Sequence, residues 1–145
     1  MLSARISLIA AMMLVVLAGG CDFPRDPERT TEHVLERGSI KVGLVGGDAV
    51  ADARALAERV AGATSARAEI IGGVAEDLLP RVENGELDLV VGRFAANSPW
   101  QGRVAFTQAS TKEDPNSDEP VVRAAVRNGE NRWLMTVERA IREAS

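Results

Sequence analysis

Arg93, Trp100 and Arg103 are the side chains of this 145-residue chain best suited to holding a ligand, and they lie within eleven positions of one another. Arg93 is expected at the C-terminal end of a strand, where open α/β sheets receive ligands and a guanidinium can meet an anion. Trp100 offers a flat face that can stack on a ligand or a partner, or cover the edge of a core. Arg103 reads either as a ligand contact or as half of a surface ion pair. Asp48 stands behind Gly46 and Gly47 at the head of a helical pattern, where a carboxylate can cap the first turn or touch a ligand.

Other chemistry is excluded by residue supply. His33 is the one histidine and Cys21 the one cysteine, so neither a metal cluster nor a histidine-based triad can be assembled and no disulfide can form within one chain. Gly43-Leu44-Val45-Gly46-Gly47 precedes a helix but lacks both dinucleotide spacing and the Lys-Ser/Thr of a phosphate loop. Glu76-Asp77 and the Glu83/Glu86 pair read as solvated acids on a helix and a turn. No catalytic constellation emerges, and neither cofactor nor metal is expected.

The first residues, MLSARISLIAAMMLVVLAGGC, place Arg5 ahead of an apolar run from Ile6 to Ala18 and then small residues before Cys21. A run of about 13 apolar residues suits a secretory signal, since a spanning helix needs ~20. Leu17-Ala18-Gly19-Gly20-Cys21 resembles a bacterial lipobox, in which the cysteine thiol takes a diacylglycerol and becomes the first mature residue. Residues 1–20 are thus expected to be removed and Cys21 to carry the membrane anchor, two acyl chains being enough to hold a protein on a bilayer. Asp22 resembles the signal that keeps proteobacterial lipoproteins on the periplasmic face of the inner membrane. Residues 21–30 then form the lipidated cysteine and a short tether.

Without residues 1–20 the chain carries 16 basic and 21 acidic side chains, a net of −5 spread along its length. Nucleic acid would call for a basic stripe and is not expected. Aromatics are 3% of the chain, too few for a sugar or base platform. One small domain, residues 31–145, fits the remaining length.

Its pattern alternates strand and helix. Thr31–Arg37 reads as a short helix closed by Gly38, and Ile40–Val45 as a β-branched strand. Val50, Ala53, Leu56, Ala57, Val60 and Ala61 recur at helical spacing, with Gly62 as the stop. Strands at Ala66–Ile71 and Leu87–Val91 flank a helix at Val74–Glu83, which Pro80 should bend or delay. Val104–Thr107 and Val121–Arg127 complete about five strands, and Glu130–Ala144 is a closing helix with Trp133, Leu134, Val137 and Ile141 on one stripe. Right-handed crossovers between such strands imply an α/β lobe of three layers, a mainly parallel sheet with helices on both faces.

TTEHVLERGSIKVGLV resembles the mature start of family 3 extracellular solute-binding proteins, the polar amino-acid type that serves ABC importers. NGELDLVVGRFAANSPWQGRVAFTQAS is similar to the stretch after the second helix in that family, and AAVRNGENRWLMTVERAIREA to its return strand and last helix. The resemblance implies lobe 1 of a two-lobed binding protein, a small polar solute as ligand, and a permease as partner. In the family the segment like VAFTQAS leads into a second lobe. Here the polar run TKEDPNSDEP, residues 111–120, replaces it. The family's aromatic-proline turn after the first strand is absent, and its substrate-holding arginine falls on Trp100. The alternative from a different class is an envelope lipoprotein whose retained lobe docks on a protein partner, and a third is a decayed transporter gene.

Overall fold

Residues 25–46, 51–110 and 119–143 are described in the computed structural model. In chain order the elements are α1 (Thr30–Arg37), β1 (Ser39–Val45), α2 (Ala51–Ala63), β2 (Arg67–Gly73), α3 (Ala75–Glu83) and β3 (Leu89–Phe94). A 3-10 turn (Pro99–Gly102), β4 (Val104–Phe106), β5 (Val121–Arg127) and α4 (Asn131–Arg142) follow. One five-stranded sheet has the order β2-β1-β3-β5-β4. β1 pairs parallel with β2 and β3, and β5 runs antiparallel to both β3 and β4, so four strands share a direction and β5 opposes them.

Burial explains why the central strands read as continuous apolar runs. Ile40, Val42, Leu44, Leu89 and Val91 project to one face, where Leu56, Val60, Trp133, Val137 and Ile141 of α2 and α4 cover them. Val90, Phe94, Val104 and Ala125 project to the other, beneath Leu78, Leu79 and Val82 of α3. The three layers are therefore α1, α2 and α4, the sheet, and α3, as the alternating pattern predicts. Gly43 permits the close seat of α3, since a Cβ there would lie 3.3 Å from Leu78 of that helix and 3.0 Å from Leu87 and Val90 beside it.

Several expected boundaries move. α2 runs through Gly62 to Ala63, and Ser65, at φ 52°, takes the left-handed position while Ala66 N–H closes on the Ala61 carbonyl at 2.9 Å. Pro80 neither delays nor divides α3, because the missing N–H frees only the Glu76 carbonyl, on an exposed residue that water can reach. β3 begins two residues later than expected and extends to Phe94. Leu87 instead tucks into the α3-side core. Leu134 packs partly buried, and Ala140 completes the buried stripe of α4.

The N-terminal turn is fastened to the last helix by two carboxylates. Glu130, 1% exposed, accepts from the Glu28 N–H at 2.8 Å and the Thr30 N–H at 2.9 Å. Asp26 accepts from the Thr31 N–H at 3.0 Å, from the Thr31 hydroxyl, and from the Trp133 N–H at 2.9 Å. Each acid satisfies free donors at the N-terminus of a helix, where negative charge is also favoured. Asn131 N–H adds a bond to the Arg25 carbonyl at 3.2 Å.

Asp88 is the other buried anchor. It accepts from the Lys41 N–H at 2.8 Å and pairs with Arg37, while its own carbonyl takes the Trp133 indole N–H at 2.8 Å. Burial pushes the Asp88 carboxyl above its ordinary range, outweighing the Lys41 N–H and the Arg37 charge that favour its ionised form.

Chain leaves and re-enters the sheet side by side. Thr107 N–H donates to the Ala124 carbonyl at 2.9 Å, Ala124 N–H to the Thr107 hydroxyl at 3.0 Å, and Ser110 N–H to the Val122 carbonyl at 2.9 Å. The expected connection at residues 111–120 lies outside the described residues apart from Glu119 and Pro120.

Candidate functional site

Parallel strands bring their C-terminal ends to one edge, so Val45, Gly73 and Phe94 gather beside the start of β5 at Val121. Gly46 N–H donates to the Gly73 carbonyl at 3.2 Å and fixes the first two ends together. Close approach between the β1 and β3 ends requires Gly92, because a Cβ there would fall 2.7 Å from the Val45 Cβ. This is the edge at which open α/β sheets bind ligands.

Arg93 stands on this edge, exposed, with Nη1 donating to the Pro120 carbonyl at 3.4 Å. Strand alternation sends it to the face opposite Phe94. Phe94 packs against Phe106 with ring centroids 5.0 Å apart and planes at 50°.

Trp100 and Arg103 meet on the Phe94 side. Ser98 caps the 3-10 turn by accepting the Trp100 N–H at 3.4 Å, and Gln101 Nε2 donates to the Ala96 carbonyl. The Arg103 guanidinium lies 4.4 Å from the Trp100 ring centroid. It also donates to both Glu83 oxygens, at 3.1 Å and 2.5 Å, a pairing that raises its already high pKa. Trp100 is half-buried against the α3-side core. Arg103 is thus engaged in an ion pair on the lobe surface, and the stacked pair ties the 3-10 turn to α3. Arg93 and Trp100 leave opposite faces of the sheet and do not converge.

Asp48 and Cys21 lie outside the described residues, as do the signal segment and Asp22. His33 is exposed on α1, and no group of three His, Cys, Asp or Glu residues among the described residues is arranged to hold a metal. No helix among them is long and apolar enough to cross a membrane.

Two features escape a reading of sequence. Ile71 and Val74 are 42% and 55% exposed beside the cluster of strand ends, at the end of a strand that sequence alone gives no reason to leave open. At the opposite end of the lobe a groove of about 650 Å³ lies between α1, the end of α2 and α4, lined by Leu35, Ala63, Thr64, Arg132, Met135 and Arg139 among others. Its one signal was the pair of apolar residues, Leu35 and Met135, standing off their helix stripes.

No family model matches the sequence, and no curated protein matches it. Solved structures do share its shape. The arginine-bound form of domain 1 from TmArgBP superposes with a TM-score of 0.66 at 18% identity, over 77% of this chain and 97% of that one. An amino acid ABC transporter substrate-binding protein from Streptococcus pneumoniae, bound to L-arginine, gives 0.64 at 10% identity, over 79% and 91%. The ancestral amino-acid-binding protein AncCDT-1, a precursor of cyclohexadienyl dehydratase, gives 0.59 at 12%, over 79% and 92%. At these identities the likeness is one of fold, and the fold is that of a single lobe of a periplasmic binding protein.

Proposed function

We propose that this chain, having the fold of one binding-protein lobe, is a solute-binding lipoprotein of the cell envelope that takes a small polar solute of the amino-acid class. Its ligand edge is the cluster of strand ends at Val45, Gly73 and Phe94, with Arg93 available to a carboxylate. Cys21 carries the lipid, and Asp22 directs the protein to the periplasmic face of the inner membrane. The observation that carries the reading is the likeness to domain 1 of TmArgBP, whose structure is arginine-bound as a domain. A lobe of this shape can hold a ligand without its partner lobe. Binding rather than catalysis is the reading favoured by a sequence whose one histidine cannot assemble a histidine-based triad.

Affinity is expected to be weak. Ligand pockets bury ~70–90% of their ligand, and one open edge that supplies about half of a micromolar binding energy, ~8 kcal/mol, leaves millimolar binding near −4 kcal/mol. The test is thermal unfolding of the protein lacking residues 1–20, with a panel of amino acids, small organic acids and peptides. A ligand at ten times its dissociation constant adds ~1.4 kcal/mol and should raise the midpoint by ~4–8 °C, and Arg93→Ala should diminish that rise. A sharp transition that no solute moves would overturn the reading and favour a protein partner.

A further inference from the structure

We infer that the end of the lobe carrying Arg25, Leu35 and Met135 lies against a phospholipid surface, so that the strand-end ligand edge faces away from the membrane. The inference rests on the Cys21 anchor proposed above. Arg25 is held at the start of α4 by the Asn131 N–H at 3.2 Å, and Asp26 and Glu130 lock the turn that follows. α4 begins just after β5 ends at Arg127, and β5 runs against β3, so this fastening is at the edge opposite Phe94 and Val45. Arg25 is four residue steps from Cys21, which reach at most ~14 Å when extended. A strand of seven residues such as β1 spans about 23 Å. The tether is therefore too short to run the height of the lobe and turn the ligand edge toward the bilayer.

What meets the lipid is the groove at the anchored end. Leu35 and Met135 are 55% and 46% exposed, apolar side chains able to enter the interface. Arg132 and Arg139 flank them, with stems that can lie on apolar surface while the guanidinium groups meet headgroup phosphates. Arg132 also pairs with Glu32 at 2.6 Å, which holds it at the rim.

The acylated full chain, reconstituted in vesicles of equal parts phosphatidylcholine and phosphatidylglycerol containing brominated acyl chains, tests the orientation. With Cys21 acylated, an environment-sensitive fluorophore can be placed through Met135→Cys or Ala96→Cys, and Leu35→Cys serves as a second groove position. Quenching severalfold stronger at positions 135 and 35 than at 96 is the expected result. Equal, reversed or absent quenching in acyl-labelled protein refutes the orientation and leaves the anchor standing. A wild-type chain without acyl label, fractionating as Cys21→Ser does, refutes both.

Discussion

Glu130→Ala removes an acceptor that serves two backbone donors far away in sequence, and its cost can be worked from the contacts. The carboxylate takes the Glu28 and Thr30 N–H groups at 2.8 Å and 2.9 Å from a side chain 1% exposed. Hydrogen bonds to a charged group contribute ~1.5–3 kcal/mol each, and because both donors are only partly buried the lower figure applies, about 3 kcal/mol for the pair. At ~4 °C per kcal/mol for a domain of this size, the thermal midpoint should fall by ~12 °C. Urea unfolding followed by far-ultraviolet circular dichroism reads the same loss as a shifted midpoint with an unchanged slope. Glu130→Gln keeps the shape and one acceptor but turns an amide NH₂ toward an N–H, so roughly half the loss should remain. A Glu130→Ala protein within ~0.5 kcal/mol of wild type would show that water replaces the carboxylate and that the clamp stabilises nothing.

Asp88, whose carboxyl burial raises above 3.8, binds its proton more tightly in the folded state than in the unfolded chain. Its contribution therefore grows as pH falls from about 7 toward about 4 and is lost as pH rises through the folded value. The stability gap between wild type and Asp88→Asn should widen on acidification, which urea midpoints at the two pH values would show, and a narrowing gap would contradict it. Gly92→Ala should cost about 1–3 kcal/mol, because its Cβ would lie 2.7 Å from the branched Val45 Cβ and the two strand ends must part. Calorimetry finding no change would mean that the ligand edge is loosely packed.

Local chemistry made much of this fold legible. β5 occurs at Val121–Arg127 as its β-branched pattern predicts, and from Ala53 to Ala61 the buried stripe of α2 is the one its periodicity names, Val50 lying outside the described residues. Where the reading slipped, a tertiary contact overrode a local rule. Gly62 invites a helix stop, but the Ala66-to-Ala61 closure carries the turn past it and assigns the left-handed position to Ser65. The clamp made by Asp26 and Glu130 is not legible in sequence, because Glu130 serves N–H groups about 100 residues away and Asp26 joins its local partner Thr31 to Trp133, 107 residues on. At the ligand edge, sequence located Arg93, Trp100 and Arg103 near one strand end. It could not show that alternation directs Arg93 to one face while Arg103 and Glu83 hold Trp100 on the other.

The paired exit and return of the chain at Ser110 and Val122 makes the lobe a modular host. Both ends of the intervening segment are fixed by hydrogen bonds between the departing and returning chain. Loop closure grows only with the logarithm of length, so lengthening the connection from about ten residues to about a hundred costs the host ~2 kcal/mol. A domain, a reporter or a short polar bridge can occupy this port at an expense that grows only slowly with its length. Architectures with one lobe and with two are therefore separated by an insertion or deletion whose loop-closure cost to the host is only ~2 kcal/mol, against the about a hundred residues it adds or removes.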